Sequence, residues 1–493
     1  MNRVLKKEKT ENKTSVRYFE GLNLWIFAAV FVANIFFQLS EVSSSLFLYV
    51  GIFVILLTLF FLDKDDYIYI FISLLSALRV ATIFNVSVIN IITIVYLFRA
   101  YVFENEYKKE KEKRRLPKNV MIACIVYIVY STMYVLLGVR GLREILYGIK
   151  FLCLLVYIVD VFRSMYNNNQ AEKKFMDIKV YYVAGTLIAV FSSIMINPSY
   201  SLDATRMSLM EGAGVNQLGI SLAFCLAFVT LGMTRVTNLK EWAVLAVTAL
   251  PLLYFCFATQ SRTSIIALIL IFASTLILGY AQKKARLWIT LMLIASVVVF
   301  GALIFLADGT QIQENVLGTI ERFTNPRGDD LSNGRFDLWQ MYIDRLSNDM
   351  FLFFFGGTLE DFNGVQAHNM FIEIFASDGL FGTCVILFVY TTVFFEIRKA
   401  ITSFRKSKKY VLSFLPFILV FVTGMASHTL LNTEPTVNFC MGAAMIYLYG
   451  ENDSNEDNVA DGNDTGVELV GKRKRYKNIR RLDRRYSKKL RRI

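Results

Sequence analysis

The residue of this chain best suited to acid–base chemistry is His368, one of only two histidines. It stands where a long polar segment, residues 308–366, gives way to an apolar run that starts near Leu380. An imidazole changes its charge near neutral pH and is therefore a natural proton acceptor. The pattern predicts a general base at a place where water meets a membrane.

Arginines elsewhere in the chain are candidates for binding an anion. Arg262 comes directly before an apolar run, and Arg335 follows Gly334 at the start of a predicted helix, where a positive charge opposes the helix dipole. Arg206 and Arg140 lie in other polar segments. Converging guanidinium groups suit a pyrophosphate better than lysines do. Arg262 by itself has a second interpretation, because an arginine at the bilayer surface also snorkels toward the headgroups.

The elements that must position these side chains are membrane-spanning helices. Hydrophobic residues make up 55% of the 493 residues, the mean hydropathy is +0.46, and the apolar residues cluster in blocks near the ~20 residues that cross a bilayer. Continuous apolar runs favour helices over barrel strands, whose residues alternate. We therefore predict an all-α polytopic membrane protein with about 14 spans. The predicted spans are residues 22–39, 44–62, 67–84, 86–102, 119–137, 145–162, 180–196, 215–234, 242–258, 264–280, 287–306, 380–397, 411–426 and 437–449.

The distribution of lysine predicts the orientation. Lysine-rich segments alternate with segments that carry arginine and no lysine; the lysine-rich ones are residues 107–118, 172–179, 235–240, 283–286 and 398–409. Because cytoplasmic loops carry the excess of positive residues, we predict that both termini are cytoplasmic. The expected organisation is a cytoplasmic N-terminus (1–21), spans (22–306), an extracytoplasmic catalytic loop with re-entry (307–379), further spans (380–449) and a disordered polybasic tail (450–493).

The extracytoplasmic loop contains a helix signal of its own. Phe336, Trp339, Ile343 and Leu346 recur at helical spacing with charged residues between them. Such a helix can lie on the membrane surface with its aromatic face down. A cap over an active site is one interpretation of this loop, and a solvated spacer is the other.

Charge, cysteine and intramembrane lysine bear on partners and cofactors. The net charge of +13 is explained by orientation, and the basic tail is expected to meet anionic lipid and not nucleic acid. All six cysteines fall in apolar runs with no CxxC pair, so we interpret them as core residues and expect no metal. Lys150 and Arg79 lie within predicted spans, where contact with lipid phosphate is the expected role.

The order of short motifs resembles the O-antigen ligase and polymerase family of bacterial surface-polysaccharide synthesis. The motifs are Ser261-Arg262-Thr263 before a helix, a long outer loop with Gly334-Arg335 and Trp339, then His368-Asn369, then Gly379-Leu380-Phe381-Gly382. The likeness covers about residues 206–382, and its specificity lies in motif order and topology. One motif departs from the family pattern, since a Gly-Asn-Pro-Asn stretch appears here as Gly-Val-Asn-Gln at residues 214–217.

The resemblance implies an all-helical, lipid-dependent glycosyltransferase that takes a glycan from a polyprenyl diphosphate without a metal or cofactor. By motif, His368 would be the general base, and Arg262 and Arg335 would neutralise the diphosphate. Asn369 and Trp339 would be supporting residues in the substrate site. Arg206 corresponds only loosely, and Asn216 with it. Arg140 and Lys150 complete the set of expected substrate-binding residues.

The leading hypothesis is a polysaccharide polymerase in the bacterial cytoplasmic membrane, acting on polyprenyl-diphosphate-linked donor and acceptor, with a flippase and a chain-length regulator as further partners. A ligase that hands glycan to a lipid or wall acceptor uses the same donor and remains open. A flippase for lipid-linked oligosaccharide is the alternative from another class, although its charged residues should line a cavity through both leaflets. A scaffold for a glycan-assembly complex is a further alternative.

Overall fold

The structure is a computed structural model. It describes residues 22–77, 82–83, 86–104, 115–138, 141–167, 171–201, 206–209, 215–234, 239–280, 286–305, 311–324, 334–402, 407–408, 411–425, 433–448 and 451–452. Arg79, Arg140, the first 21 residues and most of the basic tail lie outside the described residues. The predictions made for them therefore stay predictions.

Helices make up almost all of the described chain. The first half contains α1 (Leu24–Val42), α2 (Leu46–Phe61), α3 (Tyr67–Ser73), α4 (Val88–Phe98), α5 (Lys118–Leu136), α6 (Leu142–Asn167), α7 (Ala171–Ile196), α8 (Pro198–Ser201) and α9 (Val215–Met233). The second half contains α10 (Leu239–Ala258), α11 (Arg262–Tyr280), α12 (Arg286–Phe305), α13 (Gln311–Thr324), α14 (Arg335–Asn348), α15 (Met350–Phe355), α16 (Met370–Thr402), α17 (Leu415–Gly424) and α18 (Thr433–Leu448).

Strands are confined to short pairs in the described residues. β1 (Thr82–Ile83) pairs antiparallel with β2 (Val86–Ser87), and β3 (Ser407–Lys408) pairs antiparallel with β4 (Glu451–Asn452). The chain divides into two compact units: Met1–Phe404 with Lys409–Tyr449, which holds all the helices, and Arg405–Lys408 with Gly450–Ile493, which holds β3 and β4. The nearly all-helical class is confirmed.

Several helices can cross a membrane. Among the described residues, seven are long and apolar enough: Leu24–Val42, Lys118–Leu136, Ile145–Met165, Lys173–Ile196, Val215–Met233, Leu239–Ala258 and Met370–Ile401. Shorter apolar helices lie at Leu46–Phe61, Val88–Phe103, Arg262–Ile277, Ile289–Val298 and Leu412–Gly424. The third predicted span is shorter than expected, because α3 ends at Ser73 and a 3-10 turn, Leu75–Ala77, follows it. The count of fourteen and the orientation of the termini stay predictions.

Tyrosines fill much of the interior between the helices. Tyr67, Tyr96 and Tyr157 are almost wholly buried, and the rings of Tyr96 and Tyr157 meet edge to face with centroids 4.7 Å apart. Hydroxyls on the helices bond to their own backbone; Thr93, for example, donates to the carbonyl of Ile89 at 2.9 Å. Such bonds satisfy polar groups where water is absent, so they allow these residues inside a membrane.

The helix α16 changes direction at Gly379, where the backbone is left-handed in φ (60°) and not helical. Gly356 lies against this break: a Cβ on Gly356 would lie 2.4 Å from the carbonyl oxygen of Ser377. A Cβ on Gly379 would lie 2.5 Å from the backbone of Phe354. Only glycines allow two backbones to approach so closely, so the end of α15 crosses α16 at this point.

Hydroxyl groups from α5 hold the residue before the break. Asp378 is fully buried; its side chain accepts a hydrogen bond from the hydroxyl of Tyr130, and its carbonyl accepts one from Tyr134 at 2.6 Å. Gly382 packs on the same Tyr130 hydroxyl. The Gly379–Gly382 motif thus has a structural explanation as a crossing point. The apolar run predicted to start at residue 380 is the second part of a helix that begins at Met370.

Candidate functional site

The helix α14 carries two of the predicted site residues, one turn apart. Gly334 has a left-handed backbone (φ 75°) and allows the chain to turn into the helix, whose first residue is Arg335. Of the face predicted to be aromatic, Leu346 is buried, whereas Phe336 and Ile343 are exposed. Tyr342, which the prediction did not include, is buried as well. Because residues four apart share a helix face, Arg335 lies on the side of Trp339.

The buried face of α14 packs on the segment that leads to His368. Tyr342 and Phe362 stack with ring centroids 4.4 Å apart and planes 3° from parallel. They belong to a small core that also contains Leu346, Leu352 and Ala367. This core fixes the position of the loop relative to α14.

Two hydrogen bonds also hold the segment before His368 against α14. The indole N–H of Trp339 donates to the carbonyl of Ala367 at 2.9 Å, and the hydroxyl of Tyr342 donates to the carbonyl of Val365. Burial, then the nearby carboxylate of Glu373, raises the pKa of Tyr342 to about 12, so this hydroxyl keeps its proton at physiological pH. Trp339 is therefore a residue that holds the loop one position before His368.

His368 has a left-handed backbone, with φ 52°. Non-glycine residues seldom adopt this conformation, and it persists only where the surroundings enforce it. Here the N–H of His368 donates to a carboxylate oxygen of Glu373 at 2.9 Å. His368 as a whole is partly exposed. A partly exposed histidine on a restrained backbone is compatible with the role of a general base.

Asn369 is the N-cap of α16. Its side-chain oxygen accepts from the N–H of Phe371 at 3.0 Å and from that of Ile372 at 3.4 Å, and the residue is 5% exposed. These bonds satisfy N–H groups that the helix leaves open at its start. In the His-Asn pair the asparagine therefore caps the helix, and the histidine directly precedes that cap.

Arg262 is the first residue of α11, after a tight turn from α10. The turn is stabilised by hydroxyls: Ser264 donates to the carbonyl of Ser261 at 2.8 Å, and Thr259 lies 3.3 Å from the Ser264 hydroxyl. Gln260, between the two helices, has a left-handed φ of 46°. The Gln-Ser-Arg-Thr-Ser stretch is therefore a strained connection that places an arginine at a helix start.

Arg206 and Asn216 join the same turn. Asn216 accepts a hydrogen bond from the hydroxyl of Ser261 at 3.0 Å and one from the guanidinium of Arg206 at 3.5 Å. Arg206 also donates to the carbonyl of Thr259 at 3.4 Å. The structure therefore brings Arg206, Asn216 and Arg262 together, although the motif around Asn216 departs from the family pattern.

Arg335 and Arg262 interact across the two parts of the site. Burial, and then the positive charge of Arg262, lowers the pKa of Arg335 from its ordinary value. Like charges affect each other in this way only when they are close. Since Arg335 is one turn from Trp339, and Trp339 bonds to the residue before His368, the two arginines and the histidine are linked through α14.

Lys150 and Arg140 are the two further predicted substrate-binding residues. Lys150 lies on α6 with its ammonium over the ring of Tyr147, 4.8 Å from the ring centre. Arg140 is outside the described residues.

Sequence reasoning missed Glu373 and Gln260. The spacing Asn369 to Glu373 could have found the first, because a helix cap followed by a glutamate in the next turn is a common start signal.

The fold and this site define a multi-pass membrane protein with basic and titratable groups on a polar loop and on the turn between α10 and α11. The family described as O-antigen ligase matches residues 247–387. That stretch contains Arg262, Arg335, Trp339 and His368, so the resemblance drawn from the motifs is confirmed. The match supports a ligase- or polymerase-like activity. No curated protein and no solved structure matches the chain.

Proposed function

We propose that the protein is a polysaccharide polymerase of the bacterial cytoplasmic membrane, which joins polyprenyl-diphosphate-linked oligosaccharide repeat units at the outer face. The observation that carries the proposal is the hydrogen bond from Trp339 to the Ala367 carbonyl at 2.9 Å, which holds the helix that begins at Arg335 against the residue before His368. The lowered pKa of Arg335, caused first by burial and then by the charge of Arg262, supports it. Two guanidinium groups brought together at partial burial oppose each other unless an anion joins them. A diphosphate leaving group is such an anion, and the guanidinium fork matches its oxygens.

The proposed reaction needs one proton transfer and one substitution. His368 accepts the proton of the acceptor hydroxyl while the acceptor oxygen forms a bond to the anomeric carbon of the donor sugar. The bond from that carbon to the diphosphate oxygen breaks, and its electron pair leaves with the diphosphate. Arg262 and Arg335 neutralise the negative charge that develops there. A base at hydrogen-bond distance is typically worth about 10²–10⁴-fold in rate.

Other residues take secondary roles in this proposal. Arg206, tied to the Arg262 turn through Asn216, extends the basic surface toward the donor. Trp339 and Asn369 hold the loop and start the helix that carry His368. We assign Lys150 and Arg140 to contact with the lipid-linked substrate near the membrane surface.

The acceptor separates a polymerase from a ligase. A polymerase accepts a second lipid-linked repeat unit, whereas a ligase accepts another lipid or wall component, and both release the same polyprenyl diphosphate. We place the acceptor against the outer loop that contains α13 and α14. A flippase that delivers the substrate and a regulator of chain length are the partners such a polymerase would need.

The test uses the purified full chain in detergent with a polyprenyl-diphosphate-linked repeat unit, the products being resolved on a gel without added metal. We expect a ladder with the wild-type protein and its loss in His368→Ala, Arg262→Ala and Arg335→Ala. The matched control is Arg345→Ala, which removes an exposed arginine from the last turn of the same helix α14. This variant should retain the ladder.

Other outcomes point elsewhere. A single addition of glycan to a glycolipid acceptor, with no ladder, would show that the protein is a ligase that uses the same site. Movement of the intact lipid-linked substrate across proteoliposomes, with no covalent product and no effect of His368→Ala, would replace the enzyme by a flippase.

A further inference from the structure

The helix α13 lies against the turn that carries Gln260 and Arg262, although it belongs to the outer loop. One side of this helix is buried: Asn315, Val316 and Thr319 are each at most 3% exposed. Leu317 and Ile320, on the other side, are 46% and 40% exposed. A short helix with one buried side and one exposed side has a docking face, and the docking face here meets the end of α10.

A hydroxyl of α13 bonds directly to the turn. The single hydroxyl proton of Thr319 is shared between the carbonyl of Phe257 at 3.0 Å and the carbonyl of Asn315, in its own helix, at 2.8 Å. The carbonyl of Phe257 is also the acceptor for the N–H of Gln260 at 2.8 Å. The Thr319 hydroxyl and the backbone of Gln260 therefore meet at one oxygen atom.

Gly318 provides the space for the Gln260 side chain. A Cβ at Gly318 would lie 2.9 Å from Nε2 of Gln260 and 3.3 Å from its Cδ, which is closer than ordinary carbon contacts allow. A larger residue at this position would require the end of the Gln260 side chain to shift. Gly318 therefore leaves room for the Gln260 amide where it now lies.

Gln260 needs such support because of its backbone. A non-glycine residue with φ of 46° is in a sparsely populated region, and it stays there only when its surroundings over-determine it. Two residues later the chain enters α11 with Arg262. A change in the torsion angles of Gln260 would therefore change the direction in which Arg262 leaves the turn.

We propose that α13 is a positioning element for the donor-binding arginine: Gly318 and Thr319 hold Gln260 in its left-handed conformation, and Gln260 in turn directs Arg262. This inference rests on the proposed function of Arg262. Gly318 and Thr319 do not touch the substrate in this proposal; they act through the turn. The outer loop then has two anchors, with α13 on the Arg262 turn and α14 on the His368 segment.

The experiment is a double-mutant cycle measured with the purified full chain and the lipid-linked repeat unit. Gly318→Ala should lower kcat about 10-fold or more, since small displacements of a substrate-positioning group cost up to about 10²-fold. In the Gln260→Ala background, which has no amide to displace, the same Gly318→Ala change should have little further effect. Such non-additivity is the signature of two groups in contact.

A second pair of variants tests the hydroxyl. Thr319→Val removes the bond to the Phe257 carbonyl and should lower kcat, whereas Thr319→Ser keeps the hydroxyl and should restore it. The matched controls are Thr248→Val, which removes an exposed hydroxyl bonded within α10, and Gly301→Ala, where a Cβ would meet no atom within 4 Å. Both controls should keep the wild-type kcat.

The outcomes are separable from those of the proposed function. Additive effects in the cycle, or wild-type kcat per folded molecule in Gly318→Ala and Thr319→Val, would overturn the positioning role while Arg262→Ala stays inactive. Full activity of Arg262→Ala would instead remove the proposed function, and this inference with it. A loss of thermal stability in Gly318→Ala that leaves kcat unchanged would assign α13 a purely structural role.

Discussion

The indole N–H of Trp339 donates to the carbonyl of Ala367 at 2.9 Å, and this single bond connects the helix that begins at Arg335 to the residue before His368. It explains why the Gly-Arg-x-x-x-Trp spacing matters. An arginine one turn before a tryptophan shares its helix face, so the tryptophan that holds the loop also sets where the arginine lies. The motif is a spacer between an anion-binding group and a base.

Removal of the indole N–H should weaken catalysis with little change in the fold. In Trp339→Phe the ring stays in its small core, but the Ala367 carbonyl loses its donor. We expect kcat to fall about fivefold, the equivalent of one hydrogen bond of about 1 kcal/mol. The matched control is Trp25→Phe, because Trp25 is 80% exposed on α1. Equal kcat in the two variants would show that this bond does not position His368.

Removal of the positive charge of Arg335 should lower the activity of the protein without lowering its thermal stability. Burial and Arg262 disfavour the charged form of Arg335, which is the meaning of its lowered pKa. The charge therefore opposes folding wherever Arg335 is protonated, and Arg335→Gln should keep or raise the Tm in detergent. Its kcat should fall about 10²–10³-fold, as when one donor to a developing anion is lost. A lower Tm would mean that Arg335 has a stabilising partner in the free protein.

Replacement of the same arginine by lysine should introduce a dependence on pH. The environment that lowers the pKa of Arg335 should lower that of an introduced lysine below its ordinary value of about 10.4. A base with a lowered pKa loses its charge as pH rises through that value. Arg335→Lys should therefore lose activity on the alkaline side, at a pH below the ordinary lysine value of about 10.4, where the wild-type guanidinium remains charged. If the pH profiles of kcat for wild type and variant fall in the same way on the alkaline side, this expectation is wrong.

Glu373 should affect the activity of His368 because its carboxylate restrains the backbone of that histidine. The Glu373 carboxylate accepts the N–H of His368, whose φ of 52° is costly without such a partner. Glu373→Leu should lower kcat about 10-fold, and Glu373→Gln, which retains an acceptor oxygen, should recover most of it. Glu314→Leu, at an exposed position of α13, serves as the control. If Glu373→Leu and Glu314→Leu behave alike in the ladder assay, the backbone restraint is unimportant.

The hydroxyl of Tyr130 should contribute to stability more than to chemistry. It donates to the side chain of the fully buried Asp378, next to the break in α16. Tyr130→Phe leaves that carboxylate with one donor fewer, which should destabilise the protein by about 1–3 kcal/mol. Thermal unfolding in detergent measures this, with Tyr49→Phe as control because Tyr49 is 49% exposed. A Tm in Tyr130→Phe equal to that of the control would show that Asp378 does not depend on this donor.

The apolar blocks by themselves determine the all-helical membrane class, because a run of apolar residues in lipid can satisfy its backbone only within a helix. The motif order likewise indicated His368, Arg262 and Arg335. His368 and Arg262 lie where a polar segment meets an apolar one, and Arg335 lies within the polar loop at the start of a helix. The helical period of residues 336–346 predicted α14 correctly, because amphipathic spacing is a local property of the chain.

The tertiary structure alone decided how these elements meet. Four relationships join residues that are far apart in the sequence or in separate elements. They are the effect of Arg262 on Arg335, the bond from Trp339 to Ala367, the contact of Gly318 with Gln260, and the glycine crossing at Gly356 and Gly379. Local patterns specify which side of a helix is buried, but not which neighbour covers it. That choice depends on side chains from several helices fitting together at once, which is a property of the packed chain and not of any one segment.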